Sequence, residues 1–140
     1  MIGSPFSQTF PVPDDTIDAN GHVNNVAYVG WMQDVAIAHS DSTGATRAAF
    51  EEGGTWVVRE HVIEYLRPLL PGTTVRVDTW IDDAEGVRST RRYVFKDAAS
   101  GREVVRGRTL WVFLDTTSGR PRAIPDRVIY AFTGSDGGRS

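Results

Sequence analysis

Between Val26 and Ala38 only Gln33 and Asp34 are strongly polar, so a helix drawn over this segment has no hydrophilic face. A helix that is apolar nearly all round has to be buried, in a protein core or in a bilayer. At 1.5 Å per residue the segment reaches only about 20 Å, too short to cross a membrane. The rest of the chain must therefore wrap around it. Immediately upstream, Asp18, Asn20, His22, Asn24 and Asn25 crowd a short turn around Gly21. Asn24 or Asn25 is a natural N-cap, and the helix is predicted to end near His39–Ser40. Chemistry is expected at its polar N-terminus.

The wrapping material is legible as strands. Ser7 to Val12 reads as a short strand that Pro11 and Pro13 confine to an edge or an end. A short helix over Ala45 to Glu52 stops at Gly53–Gly54. The period then changes to two. Thr55–Leu66, Thr73–Ile81, Val87–Phe95 and Glu103–Leu114 are predicted strands, separated by turns at Pro71–Gly72, Asp83–Gly86 and Asp97–Gly101. Val75, Val77, Thr79 and Ile81 share one face of their strand, with Thr74, Arg76, Asp78 and Trp80 on the other. Residues Asp126 to Phe132 suggest a final helical turn, and the Gly/Ser-rich end from about residue 133 reads as disordered. The 140 residues, 40% hydrophobic with four Trp, six Phe and four Tyr, suit one domain. The expected class is α+β, an antiparallel sheet of about five strands curled around one long central helix. So small a sheet leaves part of the helix bare, which points to a homodimer or homotetramer.

Composition narrows the function. A net charge of −3 favours neither nucleic acid nor an anionic membrane surface. The absence of cysteine removes thiol nucleophiles, disulfides and thiolate-bound zinc, and there is no His-x-x-x-His pair, so no metal or cofactor is expected. Nothing at the N-terminus reads as a signal peptide, and the cytoplasm is the expected compartment. Asp18-x-Asn20-Gly21 echoes part of a calcium loop, but Ala27 stands where a bidentate Glu is needed. Arg88, Arg91, Arg92, Arg102, Arg106 and Arg108 are read as a solvated sheet face, some of them available to phosphates.

The run Asp18-x-Asn20-x-His22-Val23-Asn24-Asn25-x-x-Tyr28, followed by Gly30-Trp31, resembles the signature of hotdog-fold thioesterases, in particular acyl-CoA thioester hydrolases and plant acyl-ACP thioesterases. Tyr65-x-Arg67-Pro68 with Pro71-Gly72, and Arg120 to Pro125, extend the likeness over nearly the whole chain. The resemblance implies hydrolysis of an acyl-CoA or acyl-ACP thioester at a site between subunits. It assigns Asp18 as nucleophile or as the base that activates water, with Asn20 and His22 in the catalytic set. The plant enzymes carry a further carboxylate where this chain has Pro68, so their network does not transfer whole.

Chemistry adds Asn25, whose backbone N–H at the helix N-terminus is a candidate oxyanion donor. Asn24, Tyr28, Trp31, Tyr65 and Arg67 are candidate substrate contacts. Plainer readings stand beside each: Asp18 and Asn20 as turn formers, His22 as a loop histidine, Asn24 as a cap, Tyr28 and Trp31 as core. His39 and His61 carry no motif. Hotdog hydratases and dehydratases place Asp and His five residues apart around Asn-Pro; here the spacing is four, with Gly21 in place of Pro. A non-catalytic acyl-binding protein is the third reading.

Overall fold

The computed structural model describes residues 1–133. Strand β1 (Ile2–Pro11) leads through a 3-10 turn at Asp14–Thr16 to helix α1 (Asn25–Thr43) and helix α2 (Ala45–Glu51). Strands β2 (Gly54–Tyr65), β3 (Thr74–Glu85), β4 (Arg88–Asp97) and β5 (Glu103–Asp115) follow, then helix α3 (Asp126–Phe132). The strands form one antiparallel sheet in the order β1-β3-β4-β5-β2. The expected disorder of the chain end concerns residues outside those described, except Thr133, which is the C-cap of α3.

Helix α1 begins where its cap allows. The Asn24 side chain accepts from the Val26 N–H at 2.8 Å, which assigns the cap to Asn24 rather than Asn25. The helix runs on past the predicted stop at His39–Ser40. The Ser42 and Thr43 hydroxyls donate back to the carbonyls of His39 and Ser40, so these polar residues prolong the helix instead of breaking it. It ends only at Gly44, whose φ of 84° is the left-handed conformation glycine adopts without strain. No helix among the described residues is long and apolar enough to cross a membrane.

The buried stripe of α1 is Tyr28, Met32, Val35, Ala36 and His39, at helical spacing. It lies on the sheet face formed by Val75 and Val77 of β3, Tyr93 and Phe95 of β4, and Val105 of β5. At Gly107 a Cβ would lie 3.1 Å from Met32 Cε, so a bare backbone lets the helix settle onto β5. The opposite side of α1 stays open: Val26 is 74% exposed and Ile37 54%, and Phe50 of α2 is 81% exposed. The sheet thus covers one stripe of the helix and no more.

Strand β1 starts at Ile2 rather than Ser7, because a register shift between Ile2 and Phe6 absorbs Pro5 at the sheet edge. Strand β3 keeps its predicted faces and extends to Glu85. The arginines need one correction. Arg88, Arg92, Arg102, Arg106 and Arg108 are exposed as expected, with Arg92 paired to Asp82 at 2.8 Å and Arg106 to Glu103 at 2.6 Å. Arg91 is not: it shares the inward parity of Tyr93 and Phe95 and is buried beneath α1. After β5 the chain folds back, with Pro121 bridged to Leu114 and Ile124 N–H bonded to the Gly86 carbonyl. Helix α3 then docks on α2, where Arg127 pairs with Glu51 and Glu52.

Candidate active site

The motif folds as a small hairpin closed by the Ile17–Val23 bridge. The Asp18 N–H donates to the His22 carbonyl at 2.9 Å, and the Gly21 N–H to the Asp18 carbonyl at 3.0 Å. Gly21, at φ 81°, supplies the left-handed residue that so tight a return requires. Asp18 also turns its carboxylate into the loop, where Oδ1 accepts from the Asn20 N–H at 2.9 Å. The hairpin is fastened at its base. Val23 N–H donates to the Leu69 carbonyl at 2.9 Å and Asn24 N–H to the Thr16 carbonyl at 2.7 Å. These two bonds lock the loop against the entrance of α1.

At that entrance three backbone donors have different fates. Val26 N–H is capped by Asn24, and Ala27 N–H reaches the Asn24 carbonyl at 3.0 Å. Asn25 N–H donates to no described group. It is the orphan donor that helix geometry leaves at a first turn, at the positive end of the helix dipole. The chain therefore holds a carboxylate and an unused main-chain donor on either side of one short loop.

The other predicted residues fall into three groups. Asn20 is exposed, and its backbone rather than its side chain meets Asp18. His22 is half-buried, with Nδ1 3.5 Å from the Val23 carbonyl, too long to fix the ring. Tyr65 donates its hydroxyl to the Asn25 carbonyl at 3.1 Å, which pins the end of β2 to the helix entrance. Arg67 is exposed and donates to the Glu103 carbonyl at 2.8 Å. Tyr28 is buried among Trp31, Tyr65 and Phe95, and its phenol is pushed up to about 12 by burial and by Tyr65 beside it. Trp31 packs between Phe10 and Tyr28.

A cavity of about 600 Å³ lies elsewhere, under the C-terminal half of α1 and open to solvent at Ile37 and Phe50, lined by residues of α1, α2, β2, β3, β4, β5 and α3. None of the predicted site residues lines it; Ala36, Trp56, Arg91, Trp111 and Phe132 do. At its wall Arg91 Nη1 donates to His39 Nδ1 at 2.9 Å and to Thr79 Oγ1 at 3.2 Å. The Thr79 hydroxyl donates in turn to the Arg92 carbonyl at 2.9 Å. His39 is stacked on Phe6 and edge-on to Phe132. Burial, and then the adjacent Arg91 charge, lowers its pKa to about 4, so the ring is neutral and free to accept at Nδ1. Sequence reasoning missed this group, although the alternation of Ser89, Arg91, Tyr93 and Phe95 carried the signal.

The neutral His39 has a consequence for stability. Its folded pKa lies below the unfolded value near 6.5, so between about pH 6.5 and pH 4 the unfolded chain binds more protons. Stability should fall as pH drops through that window, by up to about 1.4 kcal/mol per pH unit from this residue. Urea midpoints at neutral and acidic pH for wild type and His39→Gln measure it. The variant should show the shallower slope, with His61, also lowered by burial, contributing to what remains.

A five-stranded antiparallel sheet curled around one long helix, with a polar loop at the helix N-terminus, is the hotdog fold. The chain belongs to the thioesterase-like superfamily, which it matches over residues 11–132. It is similar to the palmitoyl-acyl carrier protein thioesterase of Gossypium hirsutum, at 28% identity over 134 residues, covering 90% of this chain and 32% of that protein. The chain thus spans about a third of the length of the curated relatives it matches. Among solved structures it superposes on the probable thioesterase YbaW of Escherichia coli with a TM-score of 0.84, at 15% identity, covering 93% of this chain and 98% of that one. A 1,4-dihydroxy-2-naphthoyl-CoA thioesterase from Synechocystis gives a TM-score of 0.81 at 17% identity, covering 92% and 96%.

Proposed function

We propose that this protein hydrolyses acyl thioesters of coenzyme A or an acyl carrier protein, with the reacting carbonyl at the entrance of α1. The observation that carries the reading is the unused Asn25 N–H at the helix entrance, seven residues after Asp18, whose carboxylate is held in its own turn. The Asn25 N–H donates to the carbonyl oxygen as negative charge grows there. The Asp18 carboxylate takes a proton from water as the C–O bond forms, then returns it to the thiolate as the C–S bond breaks. Direct attack by Asp18, through an anhydride that water then opens, gives the same products. The leaving thiol has a pKa near 8.5, so little acid assistance is required. In this reading Asn20 orients the carboxylate or the water, His22 shares the proton, and some of the exposed arginines meet the carrier phosphates. A panel of acyl-CoA and acyl-carrier-protein thioesters, assayed with wild type and Asp18→Asn, tests the reading. Hydrolysis at the wild-type rate by the variant would overturn it.

The site is proposed to be completed by a second copy. Strand β2 is an outer strand of the sheet with Val57 and Val62 exposed, and Tyr65 at its end touches the helix entrance. Pairing of β2 with its two-fold mate satisfies that edge and brings the partner to the loop. Sedimentation should give twice the 15.4 kDa of one chain, or four times for a tetramer built from such dimers. Val57→Asp combined with Val62→Asp should give monomers with hydrolysis lost. A wild-type monomer that hydrolyses thioesters would exclude a shared site.

A further inference from the structure

Arg91 is only 4% exposed, yet no carboxylate among the described residues pairs with it. A buried guanidinium without a counter-charge is strongly unfavourable unless something supplies one. Its neighbours supply only neutral contacts. Nη1 is used by His39 and Thr79, and the Phe132 ring lies 5.7 Å from Cζ. Nε and Nη2 donate to no described group. Burial lowers the pKa to about 10, which leaves the group charged at neutral pH. Neither neighbour relieves the charge: His39 is neutral, and Thr79 has committed its own hydrogen to the Arg92 carbonyl.

The rest of the wall is of a different kind. Ala36, Ile37, Trp56, Ile81, Trp111 and Phe132 make most of it apolar, and about 600 Å³ is within the range of cavities that take small organic ligands. An apolar chamber with a fork of free N–H groups at one wall fits a molecule with a hydrocarbon body and an anionic end. Planar guanidinium donors match a carboxylate in two-point contact, and an apolar wall beside the pair strengthens it relative to bulk water.

We infer that the cavity beneath α1 binds an apolar chain ending in a carboxylate, with Arg91 as the residue that recognises the end group. Two sources share this chemistry: the far carboxyl of an ω-carboxyacyl thioester, and the carboxyl of a free fatty acid. Binding is followed by quenching of Trp56 and Trp111, both in the cavity wall, using dodecanoate, its methyl ester and dodecanol. Dodecanoate should bind roughly 30-fold or more tightly than the ester and alcohol. Arg91→Met should erase that difference. Arg91→Lys, which keeps the charge and loses the fork, should fall between. The apolar replacement is expected to fold, since exchanging a buried charge for a hydrophobe is often neutral or stabilising. Equal binding of acid, ester and alcohol by wild type would overturn the inference without recourse to a variant. So would undiminished dodecanoate binding by a folded Arg91→Met protein.

The source is resolved by kinetics. A higher kcat/KM for ω-carboxydodecanoyl-CoA than for dodecanoyl-CoA, lost in Arg91→Met, assigns the end group to the substrate. Equal kcat/KM values with inhibition by dodecanoate, relieved in Arg91→Met, assign it to the free acid. The fluorescence measurement needs no turnover, so its failure is distinct from failure of the thioesterase reading, which Asp18→Asn decides.

Discussion

Asp18→Asn is expected to slow thioester hydrolysis by about a hundredfold to ten-thousandfold while leaving the fold intact. The magnitude is that of removing one positioned general base. The substitution is informative because asparagine keeps the oxygen that the loop uses. Oδ1 of residue 18 accepts from the Asn20 N–H, and an amide oxygen serves that bond as well as a carboxylate. The hairpin bonds on either side are made by backbone groups, which the change does not touch. A fall in kcat with unchanged melting temperature would locate the loss in chemistry. Asp18→Ala makes the contrast: it removes the turn bond together with the charge, so it should lose activity and loosen the loop. Equal rates for wild type and Asp18→Asn would sink the mechanism whatever the second variant does.

Gly54→Ala is expected to destabilise the protein by about 3 kcal/mol or more, at the upper end of what overpacking a core does. A Cβ there would sit 2.1 Å from Phe113 Cζ and 2.3 Å from Cε2, with the Leu114 carbonyl oxygen at 3.1 Å. The ring has nowhere to go. Phe113 is fully buried, edge-on to Trp56, with the Arg122 guanidinium over its face. For a domain of this size such a loss should lower the melting temperature by roughly 10 °C. Shortening the ring in the double variant Gly54→Ala, Phe113→Leu should make the two losses less than additive, because the second change opens the space that the first needs. A melting temperature within a degree of wild type for Gly54→Ala would show that the strand end yields easily.

The hydrophobic pattern and the local bonding rules carried most of the architecture. The apolar run after Asn25 could only be a buried helix, and the Asn24–Asn25 pair announced its start, with the structure choosing Asn24 as the cap. Alternation placed the strands and assigned the two faces of β3. The motif from Asp18 to Tyr28 pointed to the helix entrance before any geometry was known, because a turn, a cap and a first helical residue are all local. Errors of extent were local too. Ser42 and Thr43 bonded to the preceding turn, so α1 outran its predicted end, and a register shift carried β1 back to Ile2.

What a reading of residue types obscured was the inside of the sheet. Arg91 lies in a run of arginines that charge alone makes look solvated, and only its parity with Tyr93 and Phe95 turns it inward. His39 has no neighbour in sequence that explains it; Phe6, Arg91 and Phe132 reach it from two strands and a helix. Local bonding and periodicity act over a few residues and are written along the chain. The cavity and the charge within it arise where α1, α2, β2, β3, β4, β5 and α3 converge. Such a meeting depends on register and on how far each element runs, so only the folded chain decided it.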